Sequence, residues 1–188
     1  KHLKGKPFIL LVHDMIHEIY PEYNLTDDIS IMKRSLIQKA DSIIAVSENT
    51  KKLVNAVIKG ATHPDVTDID LVCRSPLDTQ SEDIISAQAV IIGTTENLGY
   101  MAGLIKDVFD RCYYPCLDKT QGMPFTFYVR AGHDGTGTRR AIESITTGLR
   151  WKLVQEPLIC RGEFQPEFID QCEELGLSMA ASLDAGII

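Results

Sequence analysis

The sequence predicts an α/β fold built on a doubly wound, parallel sheet. Short runs of five or six residues, apolar on both faces, recur along the chain. Stretches with apolar residues at i, i+3 and i+4 separate most of them. At 188 residues, with 44% hydrophobic and 24% charged, the chain is long enough for one buried core and too apolar for disorder. A sheet covered by helices on both sides satisfies all of these observations.

In order, Phe8–Val12 (FILLV) follows Pro7 and reads as a buried strand. Ile29, Met32, Leu36, Ile37 and Ala40 share one helical face, with Asp27 or Asp28 as the N-cap. Ser42–Val46 (SIIAV) is a second strand. Leu53, Val54, Val57 and Ile58 form the face of a short helix that Gly60 is expected to stop. Ile69–Cys73 and Ala89–Thr94 are the third and fourth strands. Met101, Leu104, Ile105, Val108, Phe109 and Cys112 then keep helical spacing over three turns. A strand at Phe125–Val129, a helix at Gly137–Leu149, a strand at Val154–Cys160 and a helix at Pro166–Leu183 complete the pattern. No repeat or low-complexity linker divides the chain, so 1–188 reads as a single α/β domain.

Several function classes drop out at this level. A net charge of −7 with no basic block argues against duplex nucleic acid and anionic membrane as partners. Runs such as Ala89–Gly93 fall far short of the roughly 20 residues a membrane span needs. No secretory pattern opens the chain, and five Cys without a CxxC argue for reduced thiols and a cytoplasmic location. Cys112 and Cys116, at i and i+4, read as core thiols before they read as a metal or redox pair. His13, Asp14, His17 and Glu18 are clustered, but no third ligand accompanies the two imidazoles, so no metal is expected. A hydrolase finds no G-x-S-x-G and no Ser or Cys beside an obvious base. Trp151, at the approach to a strand, reads as core or subunit contact.

Open parallel sheets bind ligands beyond the carboxyl ends of their strands. There the chain places Ser47-Glu48-Asn49-Thr50, then Thr94 to Tyr100, then Arg130 to Gly137, each opening a helix. Such loops, rich in Gly, Ser, Thr and Asn, suit a phosphate and the polar rim of a flat ring; singly, each is also an ordinary helix cap.

From about Asn49 to the end, the chain resembles the flavodoxin-like, NADPH-dependent FMN reductase-like family. The segment Gly93-Thr-Thr-Glu-Asn-Leu-Gly-Tyr-Met-Ala-Gly-Leu-Ile-Lys-Asp-Val-Phe-Asp-Arg111 carries the resemblance, with Tyr113-Tyr-Pro-Cys116, Arg130-Ala-Gly-His-Asp-Gly135 and Glu156-Pro-Leu-Ile-Cys160. It implies a flavodoxin-like three-layer α/β/α fold and FMN bound without a covalent link. It implies a ring site at Thr94, Thr95, Glu96, Asn97, Leu98 and Gly99, and a second wall at Ala131, Gly132, His133 and Asp134. The FMN phosphate would rest on Ser47, Asn49 and Thr50. That loop lacks the usual Gly or Pro, and Glu48 adds a negative charge beside a dianion, so weakened FMN affinity is expected. His133 and Asp134 read as a water-facing turn before a proton relay to flavin.

Residues 7–54 resemble instead the N-terminal acceptor domain of GT-B glycosyltransferases. Val12-His-Asp-Met-Ile-His-Glu18, Tyr20-Pro-Glu-Tyr23 and Lys39 to Leu53 carry that resemblance. The two patterns share Ser47, Asn49, Thr50 and Lys51, which suggests a chimera whose SIIAV strand replaces the first flavodoxin strand. Phe8–Val12 would then be an added edge strand in an extra N-terminal strand–helix unit, and the Lys1 start the edge of an excised or engineered piece. The expected function is an FMN-binding redox protein, an electron carrier or a reductase drawing on NAD(P)H, with a small-molecule or protein redox partner and a homodimer among the expected assemblies. No residue stands out as its acid or base. The alternatives are a non-catalytic chimeric scaffold with impaired cofactor binding and, third, a glycosyltransferase fragment.

Overall fold

The structure is a computed structural model and describes residues 6–12 and 48–188. The N-terminal apolar run forms β1 (Lys6–Val12), and the next described element is helix α1 (Glu48–Ala61). Strand β2 (Ile69–Arg74), helix α2 (Ser81–Ser86) and strand β3 (Ala89–Asn97) follow. A short return strand β4 (Tyr100–Met101) precedes helix α3 (Gly103–Cys116). Strand β5 (Pro124–Ala131), helix α4 (Thr136–Gly148), strands β6 (Lys152–Leu153) and β7 (Leu158–Arg161), and helix α5 (Glu167–Asp184) end the chain.

The sheet runs β2-β1-β3-β5, with β6 and β7 both paired to β5 and β4 folded back on β3. Except for β4, every pairing is parallel. The edge strand predicted as one piece, Val154–Cys160, is two. Pro157 stands in the break and brings no N–H to a ladder.

The position of β1 corrects the sequence reading. Phe8–Val12 is not an added edge strand: Leu10 pairs with Cys73 on one side and Ile91 on the other. A strand apolar on both faces leaves least apolar surface in water as an interior strand, and that place is taken by the first apolar run. The interior position assigned to Ser42–Val46 is therefore filled. Ser42–Val46 itself, the expected helix from Ile29 to Ala40 and the His13–Glu18 cluster lie outside the described residues.

Strand β3 shows why the sheet sits in the middle. Ala89, Val90, Ile91 and Ile92 have no exposed surface, and alternate residues feed different cores. Val90 and Ile92 join Phe125, Phe127 and Val129 under α3 and α4, where Trp151 also packs, edge-on to Phe125. Ala89 and Ile91 join Tyr128 under α1 and α5. Each fully buried aliphatic side chain contributes about 1.5–3 kcal/mol, so the central strands dominate the hydrophobic stabilisation.

Gly60 does not stop α1, which continues through Ala61. Its role is contact. A Cβ on Gly60 would collide with the Glu173 carbonyl and come within 2.8 Å of the Leu177 nitrogen, both on α5. Reciprocally, a Cβ on Gly176 would collide with the Val57 carbonyl and lie 3.1 Å from the Ala61 nitrogen. The two helices cross backbone to backbone through this pair of glycines.

One expectation fails locally, and one helix has no expectation to match it. Met101 fits the helical spacing of the next segment but belongs to β4, and α3 starts only at Gly103. The short α2 went unread, although its start carries a reciprocal cap in which the Gln80 N–H donates to Asp83 at 2.8 Å.

Candidate functional site

Strands β3 and β5 are neighbours at the centre of the sheet, and both overrun toward their carboxyl ends, where Thr94 pairs with Val129 and Thr95 with Arg130. Beyond Thr95 the chain turns back at once. Asn97 pairs with Tyr100 across a two-residue turn in which Leu98 has φ 53° and Gly99 φ 73°. A hairpin of this length needs positive φ at both central residues, which Gly99 adopts freely and Leu98 does not. Leu98 is also fully solvent-exposed, so no packing compensates its strain. Leu98→Asn is expected to raise stability by about 1 kcal/mol, because it installs the preferred turn chemistry. Urea unfolding would show this as a higher midpoint at unchanged slope, and a lower midpoint would contradict it.

The threonines proposed as ring contacts are buried and already engaged. Thr94 Oγ1 donates to the Thr95 carbonyl at 3.0 Å and accepts from the Ala102 N–H at 3.2 Å, fixing the hairpin to the start of α3. Thr95 Oγ1 donates to Asn97 Oδ1 at 3.1 Å. Exposed at the tip are Asn97, Leu98 and Gly99.

Glu96 joins this hairpin to the loop after β5. One carboxylate oxygen accepts the His133 N–H at 2.7 Å and the other accepts the Gly135 N–H at 3.0 Å. Gly135 caps α4 in a left-handed conformation, φ 73°. On α4, Gly137 lies so close to the Gly99 carbonyl that a Cβ would collide with it. Hairpin and loop are thus locked together by a carboxylate on one side and a glycine contact on the other.

Within the loop, Ala131 is buried, and Gly132, His133 and Asp134 are exposed. Asp134 accepts the Thr136 N–H at 2.8 Å, and that backbone bond above all holds its carboxyl below the usual carboxylate range. Asp134 is thus an ionised cap for the first turn of α4 at neutral pH. Arg130 is tied inward: one guanidinium nitrogen donates to the carbonyls of Ala131 and Cys160, at 2.7 and 3.1 Å.

The third predicted segment is only partly described. Ser47 lies outside, Asn49 is half-buried, and Thr50 is buried within the first turn of α1. Helix α1 leads into β2, and its Leu53, Val54 and Val57 join the core on the same side of the sheet as Ala89 and Ile91. Lys51 is exposed, and the Lys52 ammonium sits 5.6 Å from the centre of the Phe164 ring.

The structure therefore brings Glu96, His133 and Gly135 together, and keeps the Thr94, Thr95 and Ala131 side chains inside the scaffold. Gly135 and Gly137 were missed as site-building residues, although both stand in the glycine-rich loop that signalled a turn. Among the described residues, no group of three His, Cys, Asp or Glu side chains could hold a metal ion, and no helix is long and apolar enough to cross a membrane. Burial pushes the Cys73 and Cys116 thiols up to about 11 and raises Cys112 as well, so these sulfurs stay protonated at neutral pH.

No family model matches the chain, and no curated protein matches it in sequence. Solved structures do match. A flavodoxin, WrbA-like protein from Agrobacterium tumefaciens is 11% identical, with 97% of this chain and 99% of that chain covered and a TM-score of 0.62. A flavodoxin from the domain Archaea is 13% identical, with 94% and 98% covered and a TM-score of 0.61. The flavodiiron protein from Giardia intestinalis is 10% identical with a TM-score of 0.63, over 97% of this chain and 37% of that longer one. At these identities the likeness is one of fold, and the fold of this chain is the flavodoxin-like three-layer α/β/α sandwich.

Proposed function

We propose that the chain is a flavodoxin-like, FMN-binding redox protein that passes electrons to or from a small-molecule or protein partner, with NAD(P)H as a donor for flavin- or quinone-type reduction. The observation that carries this reading is the Glu96 carboxylate, which clamps two loops at the carboxyl ends of adjacent central strands. A flat ring needs two walls held at a fixed separation before it arrives, and a clamp of this kind supplies them.

The residues present fit that ring. Gly99 and Gly132 have no atom within 4 Å of where a Cβ would stand, so a planar group can approach the backbone at both. In this reading Asn97, Leu98 and Gly99 form one wall, and Gly132, His133 and Asp134 the other. Thr94, Thr95, Glu96 and Ala131 hold the walls in place. In this reading Ser47, Asn49 and Thr50 receive the phosphate at the start of α1, where the helix dipole favours an anion. FMN, when bound, supplies the electron chemistry. The protein binds, orients and shields it. Because the His133 and Gly135 amides donate to Glu96, they are not free to donate to the ring.

Titration of the purified protein with FMN tests this directly. Saturable quenching of flavin fluorescence is the expected result, followed by NADPH-dependent bleaching of the bound flavin. Absence of saturable quenching at millimolar FMN would leave a folded scaffold without cofactor and end the flavoprotein reading.

A further inference from the structure

The two edges of the sheet are built differently. Beyond β5 stand only β6 and β7, pieces of two and four residues with Pro157 between them. An edge so short and broken gives another strand little to pair with. The opposite edge is β2, six residues long and without Pro, Gly or Lys. Its register against β1 runs from Ile69 to Arg74 with no residue skipped, so no bulge bends it. Among the described residues β1 is its one hydrogen-bonded neighbour, which leaves the backbone groups of its outer side unpaired.

The charges on β2 select a partner for that side. Ile69, Leu71 and Cys73 pack on the core under α1 and α5, which puts Asp70, Val72 and Arg74 together on the other face. Asp70 and Arg74 are exposed and stand symmetrically about Val72. Among the described residues Asp70 has no ion pair, and Arg74 reaches Asp83 at 3.6 Å. If this strand meets a second copy of itself antiparallel, with Val72 facing Val72, Asp70 stands opposite Arg74 twice over. Opposite residues in such a ladder have Cβ atoms about 5 Å apart, close enough for both ion pairs. Every other antiparallel register loses this double match.

The ends of the strand fit the same arrangement. Leu77, exposed, lies in the turn that follows β2. Ile187, also exposed, follows Asp184, whose carboxylate accepts the Thr67 and Asp68 N–H groups just before β2, at 3.3 and 3.1 Å. The two-fold axis brings the Leu77 end of one strand to the Ile187 end of the other. Each margin of the interface thus gathers one of each.

We propose that the outer edge of β2 pairs with β2 of a second copy, antiparallel about a two-fold axis at Val72, so that one sheet runs through both molecules. The occupant is a second copy rather than a foreign strand, because this sequence itself offers Arg74 to Asp70 and Asp70 to Arg74 in a single register. Assembly through this edge needs no flavin.

The cofactor-free chain is therefore the material for the test. Sedimentation equilibrium should give a concentration-dependent mass approaching twice 20.9 kDa. Asp70→Arg and Arg74→Asp each set like charges opposite one another and should weaken self-association at least about tenfold. Mixed one to one, the two variants should recover the dimer, because the arginines of one then face the aspartates of the other. Recovery also shows that both variants are folded. Val72→Cys should cross-link two copies on mild oxidation, since directly opposite Cα atoms lie about 4.5–5.5 Å apart, within disulfide reach. Asp70→Cys, far from its own image in this register, should not. The proposal is overturned by a wild-type monomer at every concentration, or by a dimer that neither charge variant weakens. It is equally overturned by folded variants that fail to recover when mixed, by a dimer that Val72→Cys does not cross-link, or by a monomer that takes an unrelated extended peptide along β2. The wild-type mass and the Val72→Cys cross-link decide alone if the charge variants do not fold.

Discussion

Gly176→Ala should destabilise the protein by about 2 kcal/mol or more, although helix propensity alone favours Ala over Gly by about 1 kcal/mol. The new methyl would be driven into the Val57 carbonyl of α1. That obstacle is backbone hydrogen-bonded within its own helix, so relief requires the helices to separate. Gly60→Ala, which meets the Glu173 carbonyl and the Leu177 nitrogen, should act in the same direction. The pair is expected to be less than additive, because helices moved apart for one methyl have already made room for the other. Gly103→Ala is the control: it too lies in a helix, but nothing stands within 4 Å of its Cβ position, so it should be neutral or slightly stabilising. Urea unfolding of the four variants reads all of this. A Gly176→Ala protein more stable than the parent would show that the close crossing is not what holds these helices.

Glu96→Ala should weaken FMN binding about tenfold, or about 1.4 kcal/mol, by releasing one wall of the ring site from the other. It removes two bonds from a carboxylate to backbone N–H groups, each of a kind worth about 1.5–3 kcal/mol before water re-solvates the half-exposed loop. Glu96→Gln should lie between, since an amide offers one acceptor oxygen where the carboxylate offers two. The His133 and Gly135 amides should exchange hydrogen faster in both variants, whether or not FMN is present. Fluorescence titration and amide exchange therefore separate a loosened clamp from a failed cofactor assignment. Unchanged exchange at His133 would show that Glu96 does not hold the loop.

The fold was largely legible because its strands are buried on both faces. Ala89–Thr94 and Phe125–Val129 could be nothing else once helical spacing surrounded them. Strand order was not legible in the same way. FILLV and SIIAV both read as buried runs, and two-faced burial says that a strand is interior without saying between which neighbours. The hairpin escaped because its turn is Leu98-Gly99 rather than Asn-Gly, and because Met101 satisfies a helical period as well as a strand. Gly60 was misread for a similar reason. A glycine near a helix end signals a stop in the local sequence, while the contact it serves is made to Glu173 at the far end of the chain.

At the site, the location was visible and the division of labour was not. The three loops were marked by their small polar residues, but a side chain's hydrogen-bond partner has no signature when it lies in another loop. Glu96 reads as a ligand contact until the His133 and Gly135 amides are seen to occupy it. The same holds for Thr94, whose hydroxyl serves the backbone of Ala102.

The order of the sheet also bears on how the protein is made. Among the described residues, β2 has one hydrogen-bonded neighbour, β1, and β1 alone connects it to β3. Strand β1 therefore precedes both of its partners in the chain and enters between them only after β3 has been made. Until it does, β2 and β3 each present an unpaired, apolar edge, the kind that recruits other chains. Among the described residues, the seven from Lys6 to Val12 are what covers both edges.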